Sequence, residues 1–178
     1  MKQVPIIAAA LLLAHTASGS TCWEDAGARY AVSPQLLYAM ARVESGLKPS
    51  ALNLHHRQRT GTYDIGLLQI NSSNLPTLAR YGVTEQDLYD PCTNIHVGAW
   101  LLAKQFARNG PTWDAVGAYN AACSTLHGAD CVRARAGYSW LVYRALGDHG
   151  TGASAPERAV ADPVSAPQPI QISVRVRP

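Results

Sequence analysis

Beyond its first apolar stretch, the sequence has no run long enough to cross a bilayer, so no transmembrane helix is expected after that segment is removed. It has no Cys-x-x-Cys pair and no two histidines at helical spacing. The adjacent His55-His56 cannot present two imidazoles to one metal from a helix face, so no metal or other cofactor is expected. Charge is also scarce. A formal net charge of +3 with 15% charged residues is far too weak for a nucleic-acid partner, though it would favour loose attraction to an anionic cell wall. Internal repeats are absent, and signals for strands are few. Disorder of the whole chain is excluded by a hydrophobic content of 47%.

What is present begins with an export signal. Lys2 is a short positive region, and "VPIIAAALLLA" (Val4 to Ala14) has the length of a signal-peptide core. Small residues follow in "TASGS", with cleavage expected after Gly19 or Ser20. Thr21 before Cys22 argues against lipidation of that cysteine. Residues 1–20 are therefore read as a signal peptide, and the mature protein as periplasmic or secreted. Four cysteines in an exported chain suggest two disulfides, although three pairings are possible. Cys123 and Cys131 are close enough in sequence to staple a short loop. Cys22 and Cys92 would then tie the mature N-terminus to the middle of the domain.

The chain of 178 residues has room for one domain with a real core and appendages. Ser33-Pro34 is a helix cap followed by proline at the first helical position, and Asp90-Pro91 repeats the device. The second helix, "CTNIHVGAWLLAKQFARNG", stops at Gly110-Pro111. Thr84 caps a short acidic turn and Thr112 caps "WDAVGAYNAA". A last helix is expected from about Val132 to Leu146, with Tyr138, Leu141, Val142 and Ala145 along one stripe. Residues 52 to 68 are polar, basic and turn-rich, and are read as a loop or small hairpin. From about Gly147 the composition shifts to Gly, Ala, Pro and Ser, so residues 148–178 read as a flexible tail.

One carboxylate is out of place. In "SPQLLYAMARVESG", Leu37, Met40, Ala41 and Glu44 recur at i, i+3, i+4 and i+7, which makes Glu44 a member of the apolar stripe. Gly46 is a natural stop just beyond it. Partial burial and the negative end of the helix dipole would both raise the Glu44 pKa, leaving it able to donate a proton near neutral pH. Proton donation is what glycosidic cleavage requires. The alternative is a Glu that reaches into solvent at a helix end. Glu24, Asp25 and Asp114 sit in first turns, and the acids of "TEQDLYD" read as caps and surface. Asp130 falls in the short cysteine loop, and Asp148, Glu157 and Asp162 in the tail. Only Glu44 and Asp64 remain in unusual surroundings, and Asp64 is also read as bonding loop amides. Arg57 and Arg59 read as solvated.

Three ordered motifs, "ESGLKPSALN", "DIGLLQIN" and "AYN", together with "DPCTNIHVGAWLL", resemble the lytic transglycosylases of the goose-type lysozyme superfamily. The likeness spans roughly Cys22 to Cys123 and is nearest to small secreted members that accompany conjugation and secretion machines. It implies that Glu44 is the sole catalytic acid/base. It further implies that Asn53, Gln69, Ile70, Tyr119 and Asn120 lie along the substrate cleft. Leu68 stands where the motif usually has Met, a change that touches subsite shape.

The expected fold is mainly α, a lysozyme-like single domain over residues 21–147 with a small loop or hairpin insertion. The expected function is cleavage of the β-1,4 bond between N-acetylmuramic acid and N-acetylglucosamine in peptidoglycan, giving a 1,6-anhydro product. The partners are peptidoglycan strands and, through the tail, a secretion, conjugation or pilus assembly. Two alternatives stay open: a hydrolytic muramidase that uses Asp64 to activate water, and a non-catalytic wall-binding assembly factor. In the tail, Ile170, Ile172, Val174 and Val176 alternate with polar residues, a pattern compatible either with chance in a disordered segment or with strand addition to a partner.

Overall fold

The computed structural model describes residues 21–123 and 126–147. The signal segment and the alternating segment of the tail lie outside them. Seven α-helices and one small sheet are formed among the described residues: α1 (Cys22–Tyr30), α2 (Pro34–Ser45), β1 (Leu52–Asn53), α3 (Arg57–Thr60), β2 (Asp64–Ile65), β3 (Ile70–Asn71), α4 (Leu75–Leu78), α5 (Pro91–Asn109), α6 (Trp113–Asn120) and α7 (Gly128–Gly147). The architecture is mainly α, as expected.

Helix starts sit where short polar side chains can satisfy orphan backbone donors. Thr21 and Glu24 form a reciprocal capping box on α1. The Leu36 N–H donates to Ser33 Oγ at 3.2 Å, with Pro34 at the first helical position of α2. Asp90 and Thr112 cap α5 and α6 in the same way. Thr84 and Asp87 exchange hydrogen bonds ahead of a 3-10 turn at Gln86–Tyr89. Gly46 ends α2 in the left-handed region, at φ 63°, and donates its N–H to the Ala41 and Arg42 carbonyls.

The polar stretch after α2 forms more structure than a single hairpin. Three two-residue strands pair antiparallel in the order β1-β2-β3, with Asn53 opposite Asp64 and Asp64 opposite Asn71. Short strands with few β-branched residues carry little sequence signal, which is why the third was not expected. The last helix starts at Gly128 rather than near Val132. Tyr138, Val142 and Ala145 are buried on it, whereas Leu141 is 50% exposed and leaves the expected stripe. Its position lies one residue off the inward-facing row.

The core gathers Leu36, Leu37 and Met40 of α2, Ile65, Leu68 and Ile70 of the sheet region, and Leu102, Val116 and Val142 of the later helices. Cys22 is bonded to Cys92, joining the start of α1 to the start of α5, and Cys123 to Cys131. Both pairings are those the spacing suggested. Among the described residues no helix is long and apolar enough to cross a membrane.

Candidate active site

Glu44 sits in the last turn of α2, half-buried. Removal of its carboxyl from water raises its pKa from 4.5 to about 7. Smaller influences divide by sign. The Tyr138 hydroxyl and the Asn120 side chain favour the carboxylate, while the negative charge of Asp64 favours the acid. Burial is thus the main cause. The group holds a proton near neutral pH and has two polar neighbours ready for the anion once that proton leaves.

The neighbours arrive from separate elements. Asn120 ends α6, exposed, and Tyr138 comes from the middle of α7. The Tyr138 hydroxyl is buried and meets no strict hydrogen-bond geometry among the described residues, yet it lies close enough to Glu44 to act on it. Burial raises the Tyr138 pKa well above that of a free phenol, so the hydroxyl stays a donor. Sequence reading placed Tyr138 on a core stripe and missed this contact. Only the polar end of an otherwise apolar side chain could have hinted at it.

Asp64 is held from three sides. Asn71 Nδ2 donates to its Oδ1 at 2.7 Å, and Asn53 Nδ2 to its Oδ2 at 3.3 Å. His56 Nε2 lies 3.6 Å from Oδ2. Asn53 Oδ1 also accepts from the His55 N–H at 3.1 Å. Asn53 therefore braces the carboxylate beside Glu44. The cross-strand register of Asn53, Asp64 and Asn71 brings this cluster together, since directly opposed residues share one face.

The turn between β2 and β3 is tied to α2 and α6. Leu68 and Ile70, expected along the cleft, are 0% and 1% exposed. Both side chains pack into the core, Leu68 from the turn and Ile70 from β3. Gln69 adopts φ 46°, an unusual conformation for a residue with a side chain. Its Nε2 donates to the Gly66 carbonyl at 2.8 Å, so the amide braces its own turn. Tyr119 donates its hydroxyl to the Leu68 carbonyl at 2.8 Å, tying α6 to this turn. Ser45 Oγ donates to the Leu67 carbonyl at 2.8 Å, tying α2 to it.

Beneath the turn lies a residue the sequence reading did not single out. Asn94 of α5 is 1% exposed. Its Oδ1 accepts from the Leu68 N–H at 2.8 Å, while its Nδ2 donates to the Leu88 and Ile65 carbonyls at 2.7 and 3.0 Å. Gly66, at φ 75°, passes so close that a Cβ there would strike the Asn94 side chain and the Leu88 carbonyl. The signal lay in the helix pattern: Asn94 is a polar residue at a buried position of "CTNIHVGAW". Among the described residues no group of three or more metal-ligating side chains is assembled.

An acid whose pKa burial raises to about 7, a carboxylate charge felt by it and polar groups from two further helices can perform acid–base cleavage of a polar bond. Known proteins agree with that chemistry. Residues 21–130 match the family described as the transglycosylase SLT domain. The chain is 38% identical over 136 residues to the invasion protein IagB of Salmonella typhimurium, covering 76% of this chain and 82% of that protein. It is 39% identical over 109 residues to a peptidoglycan-binding-like protein of Escherichia coli O157:H7, covering 58% and 65%. It is 40% identical over 104 residues to protein IpgF of Shigella flexneri, covering 58% and 66%. The family match over more than half of the chain makes the protein a member of the SLT transglycosylase family and a peptidoglycan lytic transglycosylase.

Proposed function

We propose that Glu44 is the single acid and base of this enzyme and that it cuts the β-1,4 bond from N-acetylmuramic acid to N-acetylglucosamine. Protonated Glu44 gives its proton to the glycosidic oxygen as the bond to C1 breaks. The carboxylate left behind takes the proton of the muramyl C6 hydroxyl as that oxygen closes on C1. The products are a free N-acetylglucosamine end and a 1,6-anhydro muramyl end, and no water enters. One carboxyl group suffices because the same group gives and then recovers a proton, while the substrate supplies the nucleophile. The observation that carries this reading is the pKa of about 7 at Glu44, which makes both forms accessible near neutrality. Tyr138 and Asn120 support the anionic half of the cycle. Tyr119, Gln69, Leu68 and Ile70 serve by shaping the turn between β2 and β3, chiefly through backbone.

A hydrolytic muramidase is the competing reading, favoured by the Asp64 charge felt at Glu44. Against it, both Asp64 oxygens already accept amide hydrogen bonds, which suits a fixed charge better than a base. Mass spectrometry of muropeptides released from purified peptidoglycan decides the matter. Anhydro ends, lighter by one water, are expected; reducing muramic acid ends would install the hydrolase, and an inert protein that still binds would install the assembly factor.

We further infer an exported enzyme that opens the wall locally for an assembly spanning it. The leader-like residues 1–20 and the name of the relative IagB as an invasion protein support this. Deletion of residues 168–178 is expected to leave cleavage of purified peptidoglycan unchanged and to reduce co-purification with that assembly. Loss of cleavage in vitro, or no effect in cells, would remove the tail from the account.

A further inference from the structure

Helix α7 has a buried face and an exposed aromatic one. Tyr138 and Val142 turn inward, toward Glu44 and the core. On the other side Trp140 is 55% and Tyr143 40% exposed. Their rings stack, with centroids 5.5 Å apart and planes 18° from parallel. Trp113, at the start of α6, meets Tyr143 edge-on at 5.7 Å. An isolated exposed indole samples several rotamers, but this one is backed on one face and presents the other already oriented. Arg133, Gly137, Trp140 and Arg144 follow at i, i+4, i+7 and i+11, so they share one side of the helix. A Cβ on Gly137 would meet nothing within 4 Å, which leaves open floor beside the indole. Arg133 pairs with Asp130, and Arg144 makes no ion pair among the described residues, so the stripe carries a net positive charge.

A flat ring face beside the Arg144 charge, with space next to it and the Arg133–Asp130 pair beyond, suits a ligand that has apolar ring faces and pendant anions. A pyranose offers its C–H face to an indole, and the stem peptides of a peptidoglycan strand carry carboxylates. The geometry points to the outer face of α7 as a second glycan-binding surface, where a peptidoglycan strand other than the one being cut rests a sugar ring on Trp140 with its stem carboxylates toward Arg144. This rests on the reading of the enzyme as one that acts on peptidoglycan. A protein partner is the rival occupant. The net positive charge, which Arg144 supplies, and the glycine gap fit a ribbon-like anionic polymer better than a globular surface. A helix about 10–12 Å thick separates the platform from Glu44, so one strand can be held while another is cut.

Binding is measured without cleavage by co-sedimenting the chain from residue 21 to 178, carrying Glu44→Gln, with purified peptidoglycan sacculi. Adding Trp140→Ala is expected to weaken binding by roughly fivefold or more, as for loss of a central aromatic contact. Trp140→Phe should restore most of it, and an unchanged melting temperature would exclude misfolding. In the active protein, Trp140→Ala should slow release from sacculi yet cleave short soluble fragments at the parental rate. Parental sedimentation by Trp140→Ala would overturn the inference and leave the platform to a protein partner. Absence of muropeptides from the parent would instead overturn the proposed chemistry, while Trp140-dependent sedimentation would still uphold the surface.

Discussion

The hydroxyl of Tyr138 lies buried against the carboxyl of Glu44 and finds no aligned hydrogen-bond partner among the described residues. A donor in that position stabilises the carboxylate, and it is among the influences that lower the Glu44 pKa. Tyr138→Phe should therefore move the alkaline limb of the pH–rate profile upward. It should also slow turnover by about tenfold to a hundredfold, in the range of one lost donor to a developing anion. The fold should persist, because a buried hydroxyl without a partner contributes no stability. An unmoved alkaline limb would separate Tyr138 from the proton transfer.

Activity needs Glu44 protonated at the first step, so it should fall as pH rises through about 7. Stability follows the same group. Its folded pKa is raised from 4.5 to about 7, so the neutral form favours the folded state below 4.5 and that advantage is lost as pH rises through 7. Glu44→Gln should cost at least about a hundredfold in activity. The same variant should match the parent in stability at pH 4 and exceed it by about 3 kcal/mol at pH 8. Urea unfolding at the two pH values checks this, and equal differences at both would refute the burial account.

Asn94 satisfies three backbone groups of three separate segments. Asn94→Leu should leave one N–H and two carbonyls unpaired in the core, a loss of about 3 kcal/mol or more. It should also lower activity, because the turn bearing Leu68 and Gln69 loses its underside. Retained activity with full stability would show that water or neighbouring groups replace the amide.

Peptide mapping without reduction should recover Cys22 linked to Cys92 and Cys123 linked to Cys131. Sequence separations of 70 and 8 set unequal contributions. Loop-closure entropy gives about 4 kcal/mol for the first and about 2.5 kcal/mol for the second. Paired serine substitutions compared by chemical denaturation should reproduce that order.

Local signals carried much of the architecture. Ser33-Pro34, Asp90-Pro91 and Thr112 marked helix starts because capping involves residues within one turn. Glu44 was visible because a carboxylate broke an apolar periodicity. Partners distant in sequence were not legible. Asn94 gains its meaning from carbonyls at 65 and 88 and an N–H at 68, and Tyr138 from a carboxyl on another helix. Leu68 and Ile70 were picked out by their motif, but the burial of their side chains was not, because a motif does not state which way a residue of a turn or of a two-residue strand faces.

On the proposal that the enzyme is exported and that Glu44 is its acid, the order of the site groups along the chain bears on when it becomes active. Glu44 comes from the second helix and Tyr138 from the last, with Asp64 and Asn120 between them. A chain threaded across a membrane from its N-terminus exposes the acid early and its anionic support late. Catalytic competence would then arrive only with the final helix, when nearly the whole domain has crossed. A stalled or truncated translocation product would carry the acid and still leave the wall uncut.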